Sequence, residues 1–292
     1  MQEFAYQRPE TIVAAVAALA AAQTRALAGG TDLVPQLREG RREAACVVDL
    51  KHVPELMAVT ATADGGVSIG AAATAAFVAR HPLVADRYPA VAQSAQLIGG
   101  TQVQNRASLG GNVCNAAPSA DGVPALICHG ARAAILGTHG RREVLVETVF
   151  AGPGRTNLAP DELLVEIILP PAAPRSAAAY LRFTPRREMD IAVAGAGAWL
   201  RLGDDGTIAQ ARIALASVAP TPIRAPMAEQ RLVGGRPDSA LFEEAGRLAA
   251  QDARPISDTR GSADYRRKLV AVLTARVLAG CARQLGLEVI VA

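Results

Sequence analysis

The chain has 292 residues, half of them apolar and a fifth charged, and its 30 basic and 27 acidic side chains leave a formal charge of +3. That length can bury a core and supports two domains, whereas five Phe, four Tyr, one Trp and so small a charge exclude a base-stacking nucleic-acid surface. The longest apolar run, Ile12 to Ala22, falls well short of the ~20 residues that span a bilayer, and the N-terminus shows neither a basic leader nor a small-residue cleavage site, so no membrane span and a cytoplasmic location are expected.

In chain order, Thr11 caps a helix that runs to about Ala22, and Arg25 to Ala28 reads as a strand leading into Gly29-Gly30. Thr31 or Asp32 is placed to cap a helical turn from Leu33 to Arg38, after which Cys46 to Leu50 reads as a buried strand. Strands at Met57 to Ala61 and Val67 to Gly70 flank the turn Asp64-Gly65-Gly66, and helices follow near Thr74 to Arg80 and Pro89 to Ile98. The stretch Ile98 to Asn112 is too rich in turn residues to be one regular element. Beyond it a helix is predicted from Ala120 to His129 and strands near Ala131 to Leu136, Glu143 to Val146 and Leu163 to Leu169, the last ending in the Pro170 to Pro174 linker. Three further strands, Ala178 to Phe183, Ile191 to Leu202 and Ile208 to Ser217, and two helices, Ser239 to Ala250 and Tyr265 to Leu285, describe a C-terminal unit with an antiparallel sheet and helices on one side.

Two segments carry the chemistry. In Ala28-Gly29-Gly30-Thr31-Asp32-Leu33 adjacent glycines let the backbone approach a ligand, and consecutive amides before a helix can cradle a phosphate; the same residues also suit ordinary helix capping. The spacings G-x-G-x-x-G and G-x-x-x-x-G-K-[ST] are absent, which excludes the two commonest phosphate loops. The second segment, Ile98 to Asp121, holds two Gly-Gly pairs with Thr101, Ser108, Asn112 and Asn115, a polar composition that marks a functional loop. Together they can surround a dinucleotide, with the first loop on one side of a pyrophosphate and Ser108, Gly110, Gly111 and Asn112 on the other. Asp121 is placed for a ribose hydroxyl or an amide.

Cys46, Cys114, Cys128 and Cys281 lie far apart without a C-x-x-C, so neither iron–sulfur nor zinc ligation is expected on this chain. None of His52, His81, His129 and His139 sits in a nucleophile motif. His129, at the end of an apolar helix, suits a bond to a helix carbonyl rather than a flavin linkage.

AGGTDL, then RASLGGNVCNAAPSAD, then MDIAVAGA, in this order and at these separations, resemble the flavoprotein subunits of molybdenum hydroxylases. The likeness spans nearly the whole chain, including Phe150 to Gly154, Ala219 to Arg224 and Ser262 to Arg266. It is similar above all to the separate flavin subunits of bacterial xanthine dehydrogenases, with carbon monoxide dehydrogenase, nicotinate hydroxylase and aldehyde oxidoreductase members as near neighbours. The resemblance implies an α+β chain: a two-subdomain FAD-binding domain of the p-cresol methylhydroxylase/vanillyl-alcohol oxidase type over residues 1–172, then a small antiparallel-sheet-plus-helices domain over 175–292.

It further implies noncovalent FAD held by Ala28, Gly29, Gly30, Thr31, Asp32, Leu33, Thr101, Ser108, Gly110, Gly111, Asn112, Asp121, Leu164 and Arg182, with no catalytic base on this chain. In that picture Asp121 falls at the adenosine end, while Leu164 and Arg182 approach the flavin. Arg182 stands where many relatives have Lys, which keeps the charge as a planar fork. The loop Thr184 to Asp190 lies near the isoalloxazine, with Met189 where some xanthine dehydrogenases have an acidic residue. Arg186 and Arg187 there either steer an anion or form a solvated face with Glu188. The implied partners are a molybdenum-cofactor large subunit and a 2Fe–2S small subunit, with NAD or another acceptor taking the electrons.

Overall fold

The computed structural model describes residues 3–187 and 189–291. The chain opens with β1 (Ala5–Gln7), α1 (Ile12–Leu19), β2 (Thr24–Leu27), α2 (Leu33–Arg38) and β3 (Cys46–Asp49), and the strands pair in parallel in the order β1-β3-β2. Parallel neighbours need a crossover, and α1 and α2 are those crossovers. Thr11 Oγ1 accepts from Ala14 N at 3.2 Å and starts α1, whose buried Ala15, Val16 and Leu19 pack with Val48 and Leu50. Asp32 occupies the cap position of α2 but makes no side-chain capping bond, contrary to expectation, so its carboxyl group is left in the space beyond β2.

A second subdomain follows. After α3 (Pro54–Met57) come β4 (Val59–Ala61) and β5 (Val67–Gly70), then the helices α4 (Ala75–Arg80), α5 (Pro82–Ala85), α6 (Pro89–Gln96), α7 (Thr101–Gln104), α8 (Leu109–Asn115) and α9 (Gly122–Cys128). The strands β6 (Arg132–Gly137), β7 (Gly140–Leu145), β8 (Phe150–Gly152), β9 (Arg155–Thr156) and β10 (Leu163–Leu169) complete it. The main sheet has the order β4-β5-β10-β6-β7 and is antiparallel, so the last strand in sequence is the central one in space. Its run Leu-Leu-Val-Glu-Ile-Ile-Leu suits that place, because a strand buried on both faces reads as continuous apolar residues. The glycine-rich stretch is more regular than its composition suggests. Gly100 and Ser108 stand at the starts of two short helices, α7 and α8, and Ser108 Oγ accepts from Gly111 N at 3.0 Å.

The C-terminal unit is a meander of β11 (Ser176–Phe183), β12 (Ala194–Leu202), β13 (Ile208–Ala216) and β14 (Ile223–Arg224), backed by α10 (Pro226–Leu232), α11 (Ser239–Asp252) and α12 (Ala263–Gln284). Ser262 Oγ caps α12, whose Val270, Leu273, Val277, Leu278 and Cys281 are buried against the sheet. The opposite face receives α9 of the first domain. A Cβ at Gly197 would lie 3.2 Å from Cys128 Sγ and from the Pro124 carbonyl carbon, so small residues on β12 let the helix approach. Ser217 N also donates to Pro118 O at 2.7 Å across this junction. The buried Arg266 guanidinium donates to Val193 O at 2.7 Å, to Ser217 O at 3.0 Å and to Asp258 at 2.7 Å, which ties three loops to the start of α12. His129 differs from expectation. Its Nε2 has no hydrogen-bond partner among the described residues, and the ring stands edge-on to Tyr88 at 5.3 Å. No helix among the described residues is long and apolar enough to cross a membrane.

Candidate functional site

Where β2 ends, the Ala28–Asp32 loop turns toward α8 of the second subdomain, and between them a cleft encloses about 1000 Å3. Its glycines act in different ways. A Cβ on Gly29 would fall 1.8 Å from Arg106 O and one on Gly110 2.4 Å from Ala71 O, so both are contacts between backbones. Gly30 has φ +74°, a left-handed conformation that a side chain would strain. Gly111 differs from these three: a Cβ there would meet only Ser108 Oγ, at 3.0 Å, and would otherwise occupy the cleft.

The loop is braced from behind. Lys51 Nζ donates to Ala28 O at 2.9 Å and pairs closely with Asp49, whose other oxygen accepts a short bond from Tyr6. Burial opposes ionisation of Asp49, yet the hydrogen bonds from Lys51 and Tyr6 outweigh it and hold the carboxyl group below its ordinary range. In the cleft itself, burial raises the Asp32 carboxyl group, and the charge of Arg41 partly offsets this. Arg25 and Arg42 also line the space; their guanidinium groups donate to the backbone carbonyls Glu43 O at 3.2 Å and Gly154 O at 3.0 Å. Neither has an ion-pair partner among the described residues, so both leave positive charge for an anion. Arg42 follows Arg41 shortly after α2. Arg42 is brought in because the chain hooks after α2, where both arginine amides donate to Gln36 O. Cys114 lines the cleft too, and burial pushes its thiol up to about 12, which keeps it protonated.

Of the sequence-selected residues, the structure brings Ala28 to Leu33, Ser108, Gly110, Gly111, Asn112 and Leu164 around this one cleft. Two of their polar groups are partly committed to the fold: Ser108 Oγ to the Gly111 amide, and Asn112 Oδ1 to Gly122 N at 3.1 Å, where it fixes the start of α9. The Asn112 amino group remains available. Thr101 and Arg182 do not line the cleft; with Arg80, Gly99, Gly100 and Arg187 they line a neighbouring hollow of about 950 Å3.

Asp121 lines neither space. It is buried, receives Tyr180 OH at 2.9 Å and forms a close ion pair with the Arg182 guanidinium. Burial pushes its carboxyl group up to about 6, against the opposing pull of Arg182 and Tyr180, so it is ionised at neutral pH. The resemblance sets Asp121 at the adenosine end and Arg182 near the flavin, and the structure brings the two side chains into contact. The pair joins α9 to β11, a contact between positions far apart in sequence.

Above the hollow, Met189 has φ +53°, and its sulfur lies 3.4 Å from where a Gly100 Cβ would be. Arg186 bonds Asp190 through its amide at 3.1 Å and pairs with it at 3.6 Å. The alternative partner, Glu188, lies outside the described residues.

Comparison with known proteins places both parts of the chain in known families. The family described as the FAD binding domain in molybdopterin dehydrogenase matches residues 2–172, and the CO dehydrogenase flavoprotein C-terminal domain matches residues 169–280. The chain is 34% identical over 281 residues to the xanthine dehydrogenase FAD-binding subunit of Escherichia coli O157:H7, covering 95% of this chain and 96% of that one. It is 32% identical over 281 residues to the carbon monoxide dehydrogenase medium chain of Hydrogenophaga pseudoflava, covering 94% and 96%. Among solved structures, a carbon monoxide dehydrogenase from Hydrogenophaga pseudoflava superposes with a TM-score of 0.92 at 31% identity, covering 97% of this chain and 98% of that one. Quinoline 2-oxidoreductase from Pseudomonas putida 86 does so with 0.90 at 29% identity and the same coverage.

Proposed function

The chain belongs to the FAD-binding medium subunits of the molybdenum hydroxylases, and from that premise we propose that it takes electrons from a partner's 2Fe–2S clusters and passes them to NAD or another acceptor. The observation that carries this reading is the cleft in which Gly29 and Gly110 bring two backbones together while Gly111 leaves room between them. Bound FAD supplies the interchange of one-electron and two-electron transfer; the protein binds and orients it. In this reading the Ala28–Asp32 loop and the Ser108–Asn112 turn flank the pyrophosphate, Arg25 and Arg42 offset its charge, and Lys51 fixes the Ala28 carbonyl. Leu164, at the bulge of β10, supplies an apolar wall. The first domain ends near residue 172 and the second begins near 175.

Hydroxylation belongs to a molybdenum-cofactor large subunit, the clusters to a small subunit, and xanthine or a related purine is the substrate of the complex. The name of one relative supports this, the E. coli subunit being described as a xanthine dehydrogenase component, while the carbon monoxide dehydrogenase relative keeps a different substrate as the alternative. For the acceptor, the hollow lined by Arg80 and Arg187, which have no ion-pair partner among the described residues, favours an anion such as NAD. The test is purification of the chain alone and with its native partners. The chain alone is expected to carry one noncovalent FAD and to be reduced by NADH without hydroxylating a purine, and the assembly to contain molybdenum and iron. A colourless chain, or complete turnover of a substrate by the chain alone, overturns the proposal.

A further inference from the structure

A separate pocket of about 1160 Å3 lies at the junction of the two domains, and it shares no residue with the cleft. One wall is apolar and is built from the Pro170-Pro171-Ala172-Ala173 linker with Ala177 and Ala178 of β11. Beside Ala178 on the same sheet lie aromatic surface and charge. Trp199 of β12 and Arg212 of β13 are cross-strand neighbours, and the Arg212 guanidinium stands over the indole at 5.6 Å. Arg87 reaches the pocket from the turn before α6, where it lies over the Tyr88 ring at 5.6 Å and bonds Gly65 O.

Neither arginine has a carboxylate partner among the described residues; Asp86, on the rim, lies beyond ion-pair distance from both. Arg212 is accommodated because residue 130 is a glycine: a Cβ on Gly130, at φ +65°, would lie 2.2 Å from Arg212 Nη1. Beside it is His129, whose buried Nε2 has no hydrogen-bond partner among the described residues. Burial and the Arg212 charge lower its pKa to about 4, so the ring is neutral at physiological pH and the positive charge comes from the arginines. Two guanidinium groups without a carboxylate partner among the described residues, an indole and a proline-alanine stretch line one space.

We propose that this pocket binds a small organic anion, with its carboxylate held by Arg212 and Arg87 and its flat apolar body against Trp199 and the Pro170-Pro171 stretch. Trp199 is the only tryptophan in the chain, so its emission reports this pocket alone. The full FAD-loaded chain is titrated with benzoate, with benzyl alcohol as the uncharged counterpart and inorganic phosphate as an anion without an apolar body. Benzoate is expected to change the emission saturably, and each counterpart to bind about tenfold more weakly or less, since charge-assisted hydrogen bonds and apolar contact each contribute about that factor. Arg212→Gln and, at the more exposed end, Arg87→Gln should each weaken benzoate to a similar degree without changing FAD content. No saturable response to benzoate overturns the proposal. So does benzoate binding of wild-type strength in both arginine variants, and so does phosphate binding as tightly as benzoate, which would leave the apolar wall without a role.

Discussion

Replacing Gly111 with valine separates the fold from the cofactor site. Gly111 is the third residue of α8, where a glycine costs ~0.5–1 kcal/mol of helix stability relative to alanine. A Cβ there meets only Ser108 Oγ, at 3.0 Å, so the worst local outcome is loss of that cap, ~1 kcal/mol. The two effects oppose each other, and the apo-protein should change by no more than ~1 kcal/mol, or about 2–4 °C in Tm. The added methyl groups would project into the cleft and hold a phosphate away from the backbone. Loss of one hydrogen bond to a charged group costs ~1.5–3 kcal/mol, a roughly ten- to hundredfold rise in the FAD dissociation constant. Flavin fluorescence titration gives the affinity, and melts with and without FAD give the increment. Gly29→Ala is the contrasting variant: its Cβ would lie 1.8 Å from a backbone oxygen, so it should destabilise the apo-protein as well. Wild-type FAD affinity in Gly111→Val, or an equal loss of stability in apo and holo forms, would refute the placement of the pyrophosphate.

Asn112→Leu should destabilise even the apo-protein by ~1–3 kcal/mol, because the Gly122 amide loses its acceptor, whereas Asn112→Asp keeps that acceptor and should weaken only FAD; paired melts and titrations distinguish them. Asp49 is held below its ordinary pKa, so its stabilisation is present above the unfolded carboxylate value near 3.8 and is lost as pH falls through the lower folded value. In Lys51→Met that acid-side dependence should shrink, neutral stability should fall by ~2–3 kcal/mol and FAD should bind more weakly; an unchanged urea midpoint from pH 3 to pH 7 would count against the brace. Arg266→Met removes donors to Val193 O, Ser217 O and Asp258 and should cost ~3–5 kcal/mol, read as a lower urea midpoint with FAD affinity retained at low urea; a loss below ~1 kcal/mol would show that the three loops hold without it.

Much of the fold was legible because its cues are local. Thr11, Thr74 and Ser262 cap the helices they precede, and the apolar run Leu163 to Leu169 marks a strand buried on both faces. The two glycine segments were also readable as one site, since close backbone approach restricts residue type as strongly as it does at Gly29 and Gly110. Weaker cues failed. The three-residue β1 has an exposed, mixed composition, and α10 is short and lacks a side-chain cap, so neither stands out from loop. The glycine content of Ile98 to Asn112 concealed two short helices that are held by packing, α7 against α4 and α6 and α8 against α9, β9 and β10, rather than by propensity.

The sequence alone determined the order of elements, the two-part organisation and the resemblance to a flavin-binding family, because these rest on periodicity, caps and motifs within a few residues of each other. Only the tertiary structure decided that β10 is central in its sheet, that Arg25 and Arg42 line the cleft, and that Asp121 is bound to Arg182. Each of those outcomes depends on a contact between segments many residues apart, where side-chain identity states what charge or shape is available but not which partner the packed chain will bring to it.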